Sequence, residues 1–222
     1  YLVTRPRKEN VAVAKLKGPL MSLGASGKLA DTLVFFPWKG INAVREYVIP
    51  ANPDTQAQKD QRDYVRKGVA MVHTAQADVN FPTTSADQIA YSALAAAKGR
   101  IITWFNQAIK LWIDVKVAGK IPIIYSDGYL LDKSATDARP ILVIHEETGE
   151  RLINGKFYLG SSKTNLIKPK VGHVVPGLRV DLEAGEGFDD LTVGDKYFWQ
   201  FRPDPTDDCA GADSGIYYFV AS

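Results

Sequence analysis

The rhythm of apolar and polar positions changes twice along the chain. Over the first 50 residues, glycine and proline recur at Gly18, Pro19, Gly24, Gly27, Pro37 and Gly40, too often for a long helix. Leu33-Val34-Phe35-Phe36 and Val44-Arg45-Glu46-Tyr47-Val48-Ile49 are rich in β-branched and aromatic residues and read as strands. Between them, Pro37-Trp38-Lys39-Gly40-Ile41-Asn42 supplies turn chemistry, so a β-ribbon is predicted. A ribbon of this size has little core of its own. It needs a surface to pack on, either the helices that follow or a neighbouring subunit.

The next 70 residues carry helical spacing. Asn52-Pro53-Asp54-Thr55 is a helix-start signal, and Thr55 with Gln58 fits a capping box. The predicted helix runs to about residue 73. Tyr64, Val65, Val69 and Val72 make its apolar face, and Lys59, Asp60, Arg62, Asp63, Arg66 and Lys67 line the remainder. A second start falls at Ser85, with Gln88 as its box partner, and that helix ends at Gly99. The third covers about 102–118 on a stripe of Trp104, Ala108, Leu111, Trp112 and Val115, and Gly119 stops it. Short connections predict a small helical bundle, with the ribbon over an open side.

From residue 121 the pattern becomes that of short strands: 121–125, 140–145, 156–159, 173–175, 178–182, 196–202 and 215–221. Asp127-Gly128, Thr148-Gly149 and Asn154-Gly155 punctuate them as turns. Strands at this spacing predict an antiparallel β-sandwich. Asp213-Ser214-Gly215-Ile216-Tyr217 is similar to the Asp-x-Gly-x-Tyr corner of immunoglobulin domains, although their cysteine pair is absent, so the sandwich is expected to be Ig-like. The predicted class is therefore α+β. An extended arm and ribbon occupies 1–50, a helical module 51–119 and a β-sandwich domain 120–222, with no internal repeat.

Composition narrows the partners. A 45% hydrophobic and 23% charged chain is that of an ordinary globular protein. With 27 basic and 25 acidic residues, the net charge of +2 gives no electrostatic reason to expect nucleic acid or an anionic membrane. Arg5-Pro6-Arg7-Lys8 is a local basic tract that reads as a solvated arm. No apolar run approaches the roughly 18 residues of a membrane span. Tyr1 rather than methionine opens the sequence, which leaves room for a preceding or removed segment.

Candidate chemistry is sparse. The lone Cys209 excludes an internal disulfide and a thiolate metal cluster, and the acidic stretch around it raises rather than lowers a thiol pKa. His73, His145 and His173 have no metal-site spacing. His145-Glu146-Glu147 before Thr148-Gly149 reads as a solvated turn. There is no nucleophile elbow and no phosphate loop, and Gly185-Glu186-Gly187 lacks the helix that anion binding needs. Asp181, Glu183, Glu186, Asp189 and Asp190, with Asp204, Asp207, Asp208 and Asp213, are acidic loops whose sharper reading is calcium and whose ordinary reading is solvation. No cofactor and no enzymatic activity are expected. Trp104 and Trp112 belong to a helical stripe and are expected in the core. Phe35, Phe36 and Trp38 lie in a ribbon too small to bury them and are candidate interface residues, with Lys39 and Arg45 beside them.

The first half carries one longer pattern. Gly24-Ala25-Ser26-Gly27-Lys28-Leu29-Ala30-Asp31 is followed by Val34-Phe35-Phe36 and Lys39-Gly40. Arg45-x-Tyr47-Val48-x-Pro50-x-Asn52-Pro53-x-Thr55-x-Ala57-Gln58-x-x-Gln61-Arg62 comes next. This resembles a family of uncharacterised tailed-bacteriophage and prophage structural proteins, over roughly residues 24–115. Ala30 and Trp104 stand where that pattern commonly has glycine. The resemblance implies a structural component of a virion, at a head, neck or tail surface, and names no catalytic residue. Its implied partners are other virion proteins and copies of itself. Two alternatives are kept: an adhesin whose β-domain binds a host-surface glycan or receptor, and a cell-surface filament subunit that donates its ribbon to the next copy.

Overall fold

A computed structural model of the protein describes residues 27–29, 33–39, 41–47, 54–146, 154–175 and 179–222. The chain is mixed α+β, with three helices and antiparallel sheets among the described residues, and divides into two compact units, Tyr1–Asp54 and Thr55–Ser222.

In the first unit, β1 (Gly27–Leu29), β2 (Leu33–Trp38) and β3 (Ile41–Glu46) form an antiparallel sheet in that order. β2 and β3 pair from Leu33↔Glu46 to Trp38↔Ile41, so both strands run closer to the turn than the sequence predicts. Lys39 carries the turn with a φ of 48°. The predicted continuation at Val48 and Ile49 lies outside the described residues.

In the second unit, α1 (Gln56–Ala77) begins at the capping box read from the sequence: Thr55 Oγ1 accepts from Gln58 N–H, and Gln58 Oε1 from Thr55 N–H. The second box shifts by one residue. Thr84, not Ser85, caps α2 (Ser85–Ala97), and its partner is Asp87, not Gln88. α3 (Trp104–Val117) starts from Thr103. The three helices share a buried cluster of Val72, Tyr91, Leu94, Ala108, Leu111 and Trp112. Gly68 of α1 is buried there, and a Cβ on it would lie 3.2 Å from the Trp112 ring, so the absence of a side chain sets the approach of α1 to α3.

The strands form two four-stranded antiparallel sheets. One, in the order β4-β5-β9-β8, comprises β4 (Ile123–Leu130), β5 (Pro140–Glu146), β8 (His173–Val175) and β9 (Arg179–Asp181). The other, in the order β11-β10-β6-β7, comprises β6 (Gly155–Gly160), β7 (Lys168–Val171), β10 (Lys196–Pro203) and β11 (Tyr217–Val220). Alternate residues of both, among them Tyr125, Leu142, Phe157, Trp199, Phe201 and Phe219, meet in one buried cluster, as period-two alternation requires.

The helical and β regions do not keep separate cores across the predicted division near residue 119. Ala90 of α2 and Val115 of α3 belong to the cluster between the sheets, while Ile124 of β4 belongs to the helical one. β5 is therefore buried along both faces, which accounts for its unbroken apolar run. The chain changes its secondary structure at residue 119 without starting a new core.

Candidate functional site

The five residues singled out as an interface fall on β2, the following turn and β3. Arg45 pairs with Val34 and lies diagonally across from Phe36, placing the guanidinium 5.4 Å from the Phe36 ring centre. This is a cation–π contact. Phe35 points to the opposite face, across from Val44. The set is thus divided between two faces. Phe35 and Phe36 are half-buried, Lys39 and Arg45 exposed, and the Trp38 side chain lies outside the described residues. Leu33 and Val44 are 38% and 51% exposed, so this sheet presents apolar surface as well as charge.

A second constellation was not foreseen. β4 and β5 turn Ser126 and His145 to the face that also carries Ile124, beneath the segment joining α1 to α2. Ser126 Oγ is 2.6 Å from His145 Nε2, and Asp78 Oδ2 is 3.9 Å from His145 Nδ1. These are the residue types of a hydrolase triad, but the protons are wrongly placed for one. Ser126 Oγ donates to the Phe81 carbonyl at 2.8 Å, so the imidazole must donate Nε2–H to the serine. A base that holds its proton towards the nucleophile cannot activate it. Ser126 is also fully buried. The arrangement instead pins the α1–α2 segment to the sheet.

Asp78 organises that segment. Its Oδ1 accepts from the N–H groups of Asn80 and Phe81, both at 2.8 Å, and these bonds hold its carboxyl below the usual range. The Arg179 guanidinium covers the Phe81 ring at 4.5 Å. Burial lowers the His145 pKa, opposed by the Asp78 charge. His145 is thus a buried strand residue rather than part of a solvated turn: its strand is covered on both faces.

A third polar cluster centres on Asp87 of α2, which is fully buried. β4 bulges between Ser126 and Tyr129, with Asp127 at a φ of 49°, and the bulge turns two successive N–H groups towards α2. Asp127 N and Gly128 N donate to the Asp87 carboxylate at 3.0 Å each, Tyr217 Oη at 2.7 Å, Thr84 N at 2.7 Å and Thr84 Oγ1 at 2.8 Å. Five donors satisfy one buried charge. The tyrosine similar to an immunoglobulin corner therefore bonds a helix carboxylate. Beside it, Tyr91 Oη accepts from Tyr125 N at 3.0 Å. Burial pushes the Tyr91, Tyr125 and Tyr217 phenols above their usual range.

The remaining candidates are loop-builders. Asp207 accepts from Asn154 N and Cys209 N, both at 3.0 Å. Cys209 is buried, and burial, with Asp207 next in effect, pushes its thiol up to about 12. Asp213 lies 3.8 Å from the Lys98 ammonium. Glu147 lies outside the described residues. Among the described residues no group of three or more His, Cys, Asp or Glu side chains converges to hold a metal ion, and no helix is long and apolar enough to cross a membrane.

The fold and these sites define a mixed α+β protein whose clearest polar constellations join helices to a β-sheet. Comparison with protein-family models, curated proteins and solved structures finds no match in any of the three.

Proposed function

We infer that the chain is a non-enzymatic structural component of a tailed-bacteriophage virion, assembled through its N-terminal ribbon onto copies of itself and other virion proteins. The observation that carries this reading is the apolar surface of the β1–β3 sheet. Three short strands cannot enclose a core, and Leu33 and Val44 are exposed with Phe35 and Phe36 half-buried. The body, by contrast, fills two buried clusters from its own residues 64–221. A small sheet with apolar side chains on both faces, in a chain whose other unit packs two buried clusters of its own, suits an attachment element. The phage-family resemblance of residues 24–115 gives the attachment its setting in a particle.

Two four-stranded antiparallel sheets enclosing one cluster support the finer reading of the β region as an immunoglobulin-like sandwich displayed by that attachment. The experiment is incorporation of a Trp38→Ala variant into particles. The reading expects loss of incorporation by a protein that still folds; normal stoichiometry would move the interface elsewhere.

A further inference from the structure

The two edges of the sheet β11-β10-β6-β7 are finished differently. β7 carries Lys168-Pro169-Lys170, and lysines with a proline deter another strand from pairing. β11 has no such guard. Ala221 N donates to Asp195 O at 3.1 Å, and Gly194 N to Ala221 O at 2.8 Å, so Ala221 faces β10. Alternation then turns residues 217 and 219 towards β10, and 216, 218, 220 and 222 away from it. Two of these outward positions are occupied: Ile216 N donates to Ala90 O of α2 at 2.9 Å, and Ser222 N to Lys133 O at 3.0 Å. Between these clamps, the N–H and C=O groups of Tyr218 and Val220 face a cavity of about 550 Å³. Its far wall is Gly128–Leu130 of β4, and the first turns of α2 form one end.

We propose that this window is a docking site for a short extended segment of a partner protein, paired through its main chain to Tyr218 and Val220. Two donor–acceptor sets on alternate residues, about 7 Å apart, match the repeat of a β-strand. The clamps at Ala90 and Lys133 flank the open edge, so β11 of a second copy, recessed between its own clamps, cannot reach it. A single strand can, and about three residues fill the window. Ile89, Tyr129, Tyr218 and Val220 are exposed around it and favour apolar side chains. Lys133 is the one charged residue lining the cavity among the described residues, and the Lys196 ammonium lies 3.7 Å from the ring centre of Tyr218, a lining residue. Among the described residues no carboxylate lines it, so the guest is an apolar segment bearing an acidic residue.

The test is selection of a displayed library of random octapeptides against the full chain. Enriched peptides are expected to combine apolar residues with an acidic one and to slow amide hydrogen exchange at Tyr218 and Val220 at least tenfold. Val220→Pro deletes an N–H that the ladder with β10 does not use, and it is expected to weaken these peptides tenfold or more. Lys133→Glu, at an exposed side chain, is expected to weaken them several-fold, and methylating the peptide's own backbone nitrogens abolishes binding whatever the proline does to folding. Failure to enrich any peptide, enriched peptides that leave both amides unprotected, or tolerance of backbone methylation would each overturn the proposal. So would self-association of the peptide-free chain that Val220→Pro abolishes, because the occupant would then be another copy.

Discussion

The small sheet of residues 27–46 and the body of residues 55–222 draw on the same kinds of apolar residue, but among the described residues the buried clusters lie in the body, which also leaves others such as Val79, Ile101 and Ile167 exposed. In the body, Phe157, Phe201 and Trp199 are buried, and even its polar side chains, Asp87 and Ser126, are enclosed among partners. In the sheet, Phe36 lies under an exposed Arg45 and Val44 is half open to solvent. Burial against other elements, rather than residue type, separates a core from a contact surface. The body's stability should therefore be sensitive to single atoms, while the sheet's substitutions should register in association.

The sharpest way to break this contrast is at Asp87. Asp87→Ala removes the acceptor of the part-buried Asp127 and Gly128 N–H groups and of the buried Tyr217 hydroxyl, and a group left unpaired away from water costs about 1–3 kcal/mol. We expect a loss of about 3–5 kcal/mol by urea denaturation, with a loss below about 1 kcal/mol contradicting the role given to this carboxylate. Gly128→Ala ranks next. A Cβ there would collide with the Tyr217 ring, and overpacking of this kind costs about 1–3 kcal/mol.

His145 sharpens the comparison through pH. Its folded pKa lies below the ordinary imidazole value of 6.5, so the unfolded chain takes up the proton more readily. The stability this provides is present above pH 6.5 and is lost as pH falls through the folded pKa. Asp213, whose carboxyl burial raises, has the opposite sign, gaining stability as pH falls through its own folded pKa. The contribution of His145 is isolated by subtraction: wild type should lose more of its urea midpoint between pH 7 and pH 5 than His145→Gln does. Equal slopes would remove His145 from the account. The smallest expected effect is Phe36→Ala on the body's own denaturation, within about 0.5 kcal/mol, as for a substitution outside the core. A change of several kcal/mol there would make Phe36 a core residue.

Much of the fold was legible because local signals agreed with tertiary demands. Thr55 with Gln58 fixed the start of α1, and the stripe of Leu111, Trp112 and Val115 fixed the buried face of α3. β7 was missed because Lys168-Pro169-Lys170 lacks the apolar alternation of a strand, a property that suits an edge. The second capping box was read one residue late, since Thr84-Ser85 offers two hydroxyls and only the tertiary pull on Asp87 chooses between them. The polar constellations were not legible at all. Asp87 and Tyr217 are 130 residues apart, and the bulge that turns Asp127 and Gly128 towards the carboxylate has no signature beyond an Asp-Gly pair that reads equally as a turn. Ser126 and His145 were inconspicuous singly and meet only through the pairing of β4 with β5.

The central claim is that the N-terminal ribbon is the assembly element. Its most direct test is the mass in solution, by light scattering, of the purified full chain beside a chain lacking residues 1–50. The account predicts an assembled full chain and a truncated chain that is folded and monomeric. A truncated chain that assembles as the full one does, or a full chain that stays monomeric alone and with the components of the proposed particle, would contradict it.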